Sequence, residues 1–255
     1  MGAGHAQSLL HPGSSVVHRL SPQTKLVASV AFVLAVVATP REQVWAFGVH
    51  ALLLITVAAT ARIPAGLISR RMLVETPFVL FAVLMPFLVP GDPVHVLGLT
   101  VSDEGLWSAW NVLAKATLGV VCSILLAATT PLRELLLGLE RLHMPALIVQ
   151  IMSFMIRYTD VIADEMRRMR IARESRGFVA RDLRQLRDVA RSAGALFIRT
   201  YERGERVHLA MLSRGYTGQL PRTDTGGAGR ADWTTALALP MAAAGVATAA
   251  WILQS

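Results

Sequence analysis

The sequence predicts an all-α integral membrane protein with about five membrane-spanning helices and long amphipathic cytoplasmic helices between the fourth and fifth spans. Composition gives the first indication. Of the 255 residues, 53% are hydrophobic and only 16% are charged, and the mean hydropathy is +0.49. A soluble domain of this length carries more charge and shorter apolar runs between breaks. These values indicate a chain that is largely embedded in a bilayer.

Five apolar stretches have the length expected of membrane-spanning helices. A crossing needs about 20 residues at about 1.5 Å of rise each, and the first stretch is short by that measure. The stretches are Lys25–Thr39, Val44–Ala61, Met72–Val89, Leu106–Ala128 and Trp233–Leu253. They predict an N-terminal membrane domain (residues 1–130), a cytoplasmic domain (131–232) and a C-terminal transmembrane helix (233–255).

The basic residues predict the orientation in the membrane. Two precede the first span, three lie between the second and third, and 18 lie in residues 131–232, so 23 of the 25 fall on one side. The loops on the other side of the membrane contain one basic residue, Arg41. Cytoplasmic loops carry the excess of Lys and Arg, which predicts a cytoplasmic N-terminus and an external C-terminus. Because the net charge of +8 follows topology, it indicates no nucleic-acid partner.

The cytoplasmic segment predicts three helices. A short one, Leu132–Leu142, is bounded by Pro131 and by the break at His143–Pro145, since proline is tolerated at helix starts and disfavoured inside. Two long ones, Ala146–Arg176 and Ala180–Arg214, carry apolar residues at steps of three or four and charged residues on the other face. A solvated charged face over a packed apolar face explains most of these residues.

A repeated phrase ends both long helices. Ala172–Phe178 and Ala210–Tyr216 each read Ala-x-x-Ser-Arg-Gly-aromatic. Helix capping explains part of this, because Gly177 and Gly215 suit the left-handed conformation and arginine suits the negative end of the helix dipole. Capping does not explain the recurring alanine, serine and aromatic. Two matched ends indicate two matched partner sites, and arginine engages carboxylates through a bidentate fork.

The chain resembles the transmembrane T component of energy-coupling factor transporters, most closely the cobalt-type branch. The resemblance covers nearly the whole chain and includes the segment Ser15–Lys25, the turn Ala38–Glu42, the apolar helices and both Arg-Gly phrases. The family motif is Ala-Arg-Gly, and both copies here read Ser-Arg-Gly, which keeps the arginine. By this resemblance the residues that dock on ATPase subunits are Ser175, Arg176, Gly177, Ser213, Arg214 and Gly215.

The resemblance implies a coupling subunit of an importer in the bacterial cytoplasmic membrane. Its implied partners are two ATP-binding-cassette ATPases and a separate substrate-binding membrane subunit for cobalt(II). The same scaffold could serve nickel or a vitamin through another binding subunit, and a membrane-anchored regulator or a stand-alone carrier is the third hypothesis. The chain has no Gly-x-x-x-x-Gly-Lys-Ser/Thr loop to hold phosphates. We therefore expect no enzymatic activity of its own.

Other candidate sites are less specific. Lys115 lies within the fourth span beside Asn111, and an ionisable residue inside a membrane is by default a functional hypothesis. Its side chain could instead extend towards the interface or pair with Glu75. The seven histidines lack helical ligand spacing and acidic neighbours, and Cys122 is the single cysteine. The sequence predicts no metal site and no cofactor.

Overall fold

The computed structural model describes residues 10–11, 13–96, 99–177, 186–218 and 227–254. The helices in order are α1 (Val16–Arg19), α2 (Pro22–Ala38), α3 (Val44–Thr60), α4 (Ala65–Arg71), a 3-10 turn (Met72–Glu75), α5 (Thr76–Leu88), α6 (Asp103–Thr129), α7 (Leu132–Arg141), α8 (Ala146–Glu174), α9 (Leu186–Leu212) and α10 (Arg230–Ile252). Strands β1 (Pro93–Val96) and β2 (Leu99–Ser102) form an antiparallel hairpin between α5 and α6. The prediction of an all-α membrane protein is confirmed. The predicted start of the third cytoplasmic helix, residues 180–185, lies outside the described residues.

Four helical segments in the described part of the chain are long and apolar enough to cross a bilayer, by length and composition. They are Ala65–Leu88, Asp103–Thr129, Ala146–Glu174 and Arg230–Ile252. α2 and α3 are also apolar but contain 17 residues each. At 1.5 Å per residue they span about 26 Å, a little less than the hydrocarbon core of about 30 Å. All five predicted apolar stretches are therefore helical, and two of them are short.

α8 has the hydropathy of a membrane span, although the sequence analysis placed it in the cytoplasm. Its first eleven residues, 146–156, contain only Gln150 and Ser153 as polar residues, whereas residues 157–174 carry nine charged side chains. A charge at the centre of a bilayer costs on the order of 2.5–3.5 kcal/mol. The apolar first part accounts for the span-like composition, and the charged second part is incompatible with a crossing along the full helix.

The chain divides into two compact units. A membrane unit contains Leu9–Leu142 and Gly226–Ser255, and a second unit contains His143–Thr225. In the membrane unit α2 packs against α6, α7 and α10, and α5 packs against α6. The core is apolar and includes Phe32, Val36, Phe47, Leu54, Leu118, Cys122, Leu125 and Ala243.

α7 packs closely on the start of α2. A Cβ on Gly138 would lie 3.0 Å from the backbone nitrogen of Gln23 and 3.0 Å from Cδ1 of Leu26. A larger residue at this position would push the two helices apart. α7 was predicted as one of the cytoplasmic helices, and its contacts join it to the membrane unit.

Polar contacts tie together three helix ends on one side of the membrane unit. Arg41, in the α2–α3 loop, donates to Glu104 at the start of α6 at 2.8 Å, and this carboxylate raises the pKa of the guanidinium. Gln254, after α10, donates to Glu42. Four of the five tryptophans lie at these same helix ends, namely Trp45, Trp107, Trp110 and Trp251. Tryptophan is enriched at membrane interfaces, so these residues mark where the unit leaves the hydrocarbon.

Candidate functional site

The repeated phrases form two helix ends with matching backbone geometry. Gly177 and Gly215 have φ values of +78° and +83°, a conformation that glycine adopts at little cost. The amide of Gly177 donates to the carbonyl of Glu174 at 3.0 Å, and that of Gly215 donates to Leu212 at 3.0 Å. In the second copy the amide of Tyr216 also donates to an earlier carbonyl, which completes a Schellman cap. The predicted role of both glycines in helix capping is confirmed.

The recurring serines also have a structural role. Ser175 Oγ donates to the carbonyl of Ala172 at 3.0 Å, and Ser213 Oγ donates to the carbonyl of Ala210 at 3.0 Å. The last carbonyls of a helix lack partners within the helix, so each serine satisfies one of them. Glycine and serine together account for the capping of both ends, and neither requires the arginine between them.

Both arginines of the phrases are exposed and lack a partner within the described residues. The guanidinium groups of Arg176 and Arg214 make no hydrogen bond or ion pair with the described residues, although both backbone amides donate to earlier carbonyls of their helices. Some other arginines of α8 and α9 are paired, since Arg170 pairs with Glu174 at 2.8 Å and Arg199 pairs with Glu165 at 2.9 Å. The structure thus leaves two cationic side chains projecting from two equivalent helix ends. The two side chains stand at the ends of different helices, α8 and α9.

The aromatic residue of the second phrase is anchored. Tyr216 is half-buried, and its hydroxyl accepts a hydrogen bond from Nε2 of Gln150 on α8. Its ring meets that of His208 edge to face, with centroids 6.4 Å apart. The matching Phe178 lies outside the described residues. Sequence reasoning missed Gln150, because nothing in its local pattern indicates a partner 66 positions away.

Residues 13–225 match the family model of CbiQ, described as a cobalt transport protein. That range covers most of the chain. The protein belongs to the CbiQ family. The predicted resemblance to the T component of energy-coupling factor transporters is therefore confirmed. As a member of this transporter family it is a multi-pass membrane component and not itself an enzyme.

The chain is similar to relatives named as transporter components and to one that is uncharacterised. The energy-coupling factor transporter transmembrane protein EcfT of Acidaminococcus fermentans is 27% identical over 226 residues, which is 84% of each chain. The protein of the same name from Bacillus subtilis is 27% identical over 226 residues, 83% of this chain and 84% of that protein. An uncharacterised protein of Methanocaldococcus jannaschii is 31% identical over 134 residues, 52% of this chain and 50% of that protein.

Lys115 of this CbiQ-family chain caps a short helix. Its Nζ donates to the carbonyl of Val37 at 2.9 Å, and Nε1 of Trp251 donates to the next carbonyl, that of Ala38, at 2.8 Å. Because α2 is short, these terminal carbonyls would otherwise lack partners in an apolar setting. The alternative pairing of Lys115 with Glu75 is wrong, since the described residues contain no such ion pair and Glu75 accepts from Thr117.

Asn111, the second intramembrane candidate, has a buried Oδ1 with no hydrogen-bond partner among the described residues. In the same part of the chain, no group of three or more His, Cys, Asp and Glu side chains could hold a metal ion. A functional role for Asn111 remains a prediction.

Sequence reasoning also missed Lys25 of the CbiQ-family chain. It is only 5% exposed, and its Nζ donates to the carbonyls of His18 and Thr129, both at 3.1 Å, and to Oγ1 of Thr130 at 3.2 Å. Beside it, the amide of His11 donates to the carbonyl of Ala128 at 2.9 Å. These bonds fasten the N-terminal segment and α2 to the end of α6. The available signal was a lysine at the first position of a predicted apolar stretch.

Proposed function

We propose that this protein is the coupling subunit of an energy-coupling factor importer for cobalt(II). In this role Arg176 and Arg214 dock on two ATPase subunits, and the protein transmits their ATP-driven motion to a separate substrate-binding membrane subunit. One observation carries the docking assignment. Two helix ends share the same capping hydrogen bonds, and each leaves an exposed arginine without a partner in the described residues.

Equivalent ends suit a pair of identical or similar ATPases. A buried carboxylate on each ATPase could accept both sides of the guanidinium fork, which gives orientation as well as affinity. The helices are long enough to act as levers, since the 29 residues of α8 extend about 44 Å. Closure of the ATPase pair would then move two stiff helices whose ends it holds.

The membrane unit offers little for a stand-alone carrier. Such proteins line a midplane cavity with polar groups from broken helices. In this chain the apolar spans contain few polar side chains that could line such a cavity. One of them, Lys115, already donates a hydrogen bond at the end of α2. This favours a coupling role, with substrate held by another subunit. The assignment of cobalt rests on the family description, and nickel or a vitamin is the alternative substrate.

Measurements of metal uptake test the identity of the transported substrate. Cells or vesicles that contain this chain, its ATPases and its substrate-binding subunit should accumulate radioactive Co²⁺ when ATP is supplied. Complexes that lack this chain should not, because the ATPases then have no mechanical link to the binding subunit. Competition with excess Ni²⁺ provides the comparison. Accumulation of Ni²⁺ without Co²⁺ would reject cobalt while leaving the coupling role intact.

We also propose that residues 131–232 are cytoplasmic and that the β1–β2 hairpin is external. Asp92→Cys should react with a membrane-impermeant maleimide in intact cells, whereas Thr217→Cys should react only after permeabilisation. Both side chains are exposed, and the native Cys122 is buried. Gly91 is unsuitable for the cysteine, because its Cβ would lie 2.3 Å from Oγ of Ser102. Labelling of Thr217→Cys alone in intact cells would reverse the orientation.

A further inference from the structure

α8 and α9 run antiparallel and in register. Among the described residues, side-chain hydrogen bonds join Gln150 with Tyr216, Glu165 with Arg199, and Arg173 with Ser192. From Gln150 to Glu165 to Arg173 the steps along α8 are 15 and 8 residues. From Tyr216, just after α9, back to Arg199 and Ser192 the steps are 17 and 7 residues, so the two helices stay aligned. α8 and α9 therefore form an antiparallel helix pair, with Arg176 at one end of it and Arg214 at the other.

We propose that the hydrogen bond between Gln150 and Tyr216 is a positioning contact that fixes the distance between Arg176 and Arg214. This inference rests on the proposed docking of those two arginines. It assigns a role to the aromatic residue of the second phrase, which capping does not explain.

The geometry of α8 sets the distance. Arg214 lies two residues before Tyr216, and Tyr216 is held at Gln150, which is 26 residues before Arg176. At 1.5 Å per residue, α8 separates the two arginine-bearing ends by about 39 Å. A rigid separation of this kind matters when one subunit must engage two sites at once, since avidity is greatest when the spacer matches the span.

Gln150 holds the Arg214 end in a way that the other contacts do not. Among the described residues, its bond to Tyr216 is the one side-chain hydrogen bond that ties α8 to the last turns of α9 or to the phrase that follows. Arg173 and Ser192 act near the opposite end, and the ion pair of exposed Arg199 with half-buried Glu165 contributes little rigidity. The edge-to-face contact with His208 fixes the Tyr216 ring. The backbone amide of Tyr216 belongs to the helix cap that carries Arg214.

The first test measures the distance directly. Spin labels at Ala172→Cys and Ala210→Cys, in the full-length protein with Cys122→Ala, occupy equivalent exposed positions of the two phrases. Pulsed electron resonance should give one narrow distance distribution. Tyr216→Phe, which removes only the hydroxyl, should broaden it about twofold, as should Gln150→Leu. The double variant should be no broader than either single one, because both remove the same contact. Tyr201→Phe is the matched control, since that ring is exposed on α9.

The second test measures binding of the ATPase pair. Tyr216→Phe should weaken it by about tenfold through lost avidity. In an Arg176→Ala background only one end can dock, so the same substitution should then have no effect. A further loss there would mean that Tyr216 contacts the ATPase itself, and an unchanged distance distribution in Tyr216→Phe would also overturn the positioning role. If ATPase binding ignores both arginines while the distances change as expected, the docking function fails and the structural contact stands.

Discussion

Reversing both arginine charges, with Arg176→Glu and Arg214→Glu together, should abolish co-purification of the ATPase subunits while the membrane chain still folds. Removal of one partner from a buried charge pair costs about 2–5 kcal/mol of binding. Each single substitution should therefore weaken association, and the double reversal adds repulsion at both ends. Pull-down of the ATPases with solubilised wild-type and variant protein measures this, and metal uptake should fall in parallel.

The cap-only explanation predicts a much smaller effect. Gly177 and Gly215 remain in the variants, so the loss is then limited to the arginine–dipole interaction, about 0.3–1 kcal/mol of stability. The matched control is Arg168→Glu with Arg206→Glu, which changes the net charge equally at two exposed positions within the helices. Co-purification of the ATPases at wild-type levels with the double Arg176 and Arg214 variant would show that the phrases are only helix stops.

Local chemistry allowed the helix ends to be predicted from sequence. Pro131 and Pro145 set the starts of α7 and α8, and the observed helices begin at the next residue. Gly177 and Gly215 set the ends of α8 and α9, which stop three residues before each glycine. Proline and glycine act through their own backbone preferences, so no tertiary information is needed.

Contacts between distant segments could not be predicted in this way. The acceptor of Lys115 is a carbonyl of α2, and nothing near Lys115 in the sequence indicates that α2 ends beside it. An ion pair with Glu75 was one of the alternatives for Lys115, but that carboxylate accepts a hydrogen bond from Thr117. A backbone carbonyl leaves no signature in sequence, and so its partners are revealed by the fold alone.

The repeated phrase contains residues whose role could be predicted from sequence and residues whose contacts could not. The sequence identified its serines, arginines and glycines as candidates, and the structure separates them by function. Serine and glycine complete the cap, arginine is left exposed, and Tyr216 reaches Gln150. A phrase repeated as a block in sequence thus contains residues with different physical tasks. In both copies the cap and the exposed arginine stand at the same relative position.

The two lysines of the chain allow a further comparison, since each donates to a carbonyl near the end of a helix. Lys25 is buried and makes three hydrogen bonds, whereas Lys115 is half-exposed and makes one within the described residues. An unsatisfied buried polar group costs about 1–3 kcal/mol. Loss of Lys25 would leave the carbonyls of His18 and Thr129 without this donor, so the membrane unit should depend on it more strongly.

We therefore expect Lys25→Met to destabilise the solubilised protein by at least about 3 kcal/mol and Lys115→Met by about 1 kcal/mol, scaling with the hydrogen bonds each removes. Methionine keeps the unbranched shape of the lysine side chain, so packing changes little. Thermal unfolding followed by size-exclusion fluorescence, at equal expression and in one detergent, gives the comparison. Unfolding of Lys25→Met at the wild-type temperature, or a larger loss for Lys115→Met, would show that the Lys25 contacts do not hold the N-terminal segment and α2 to the end of α6.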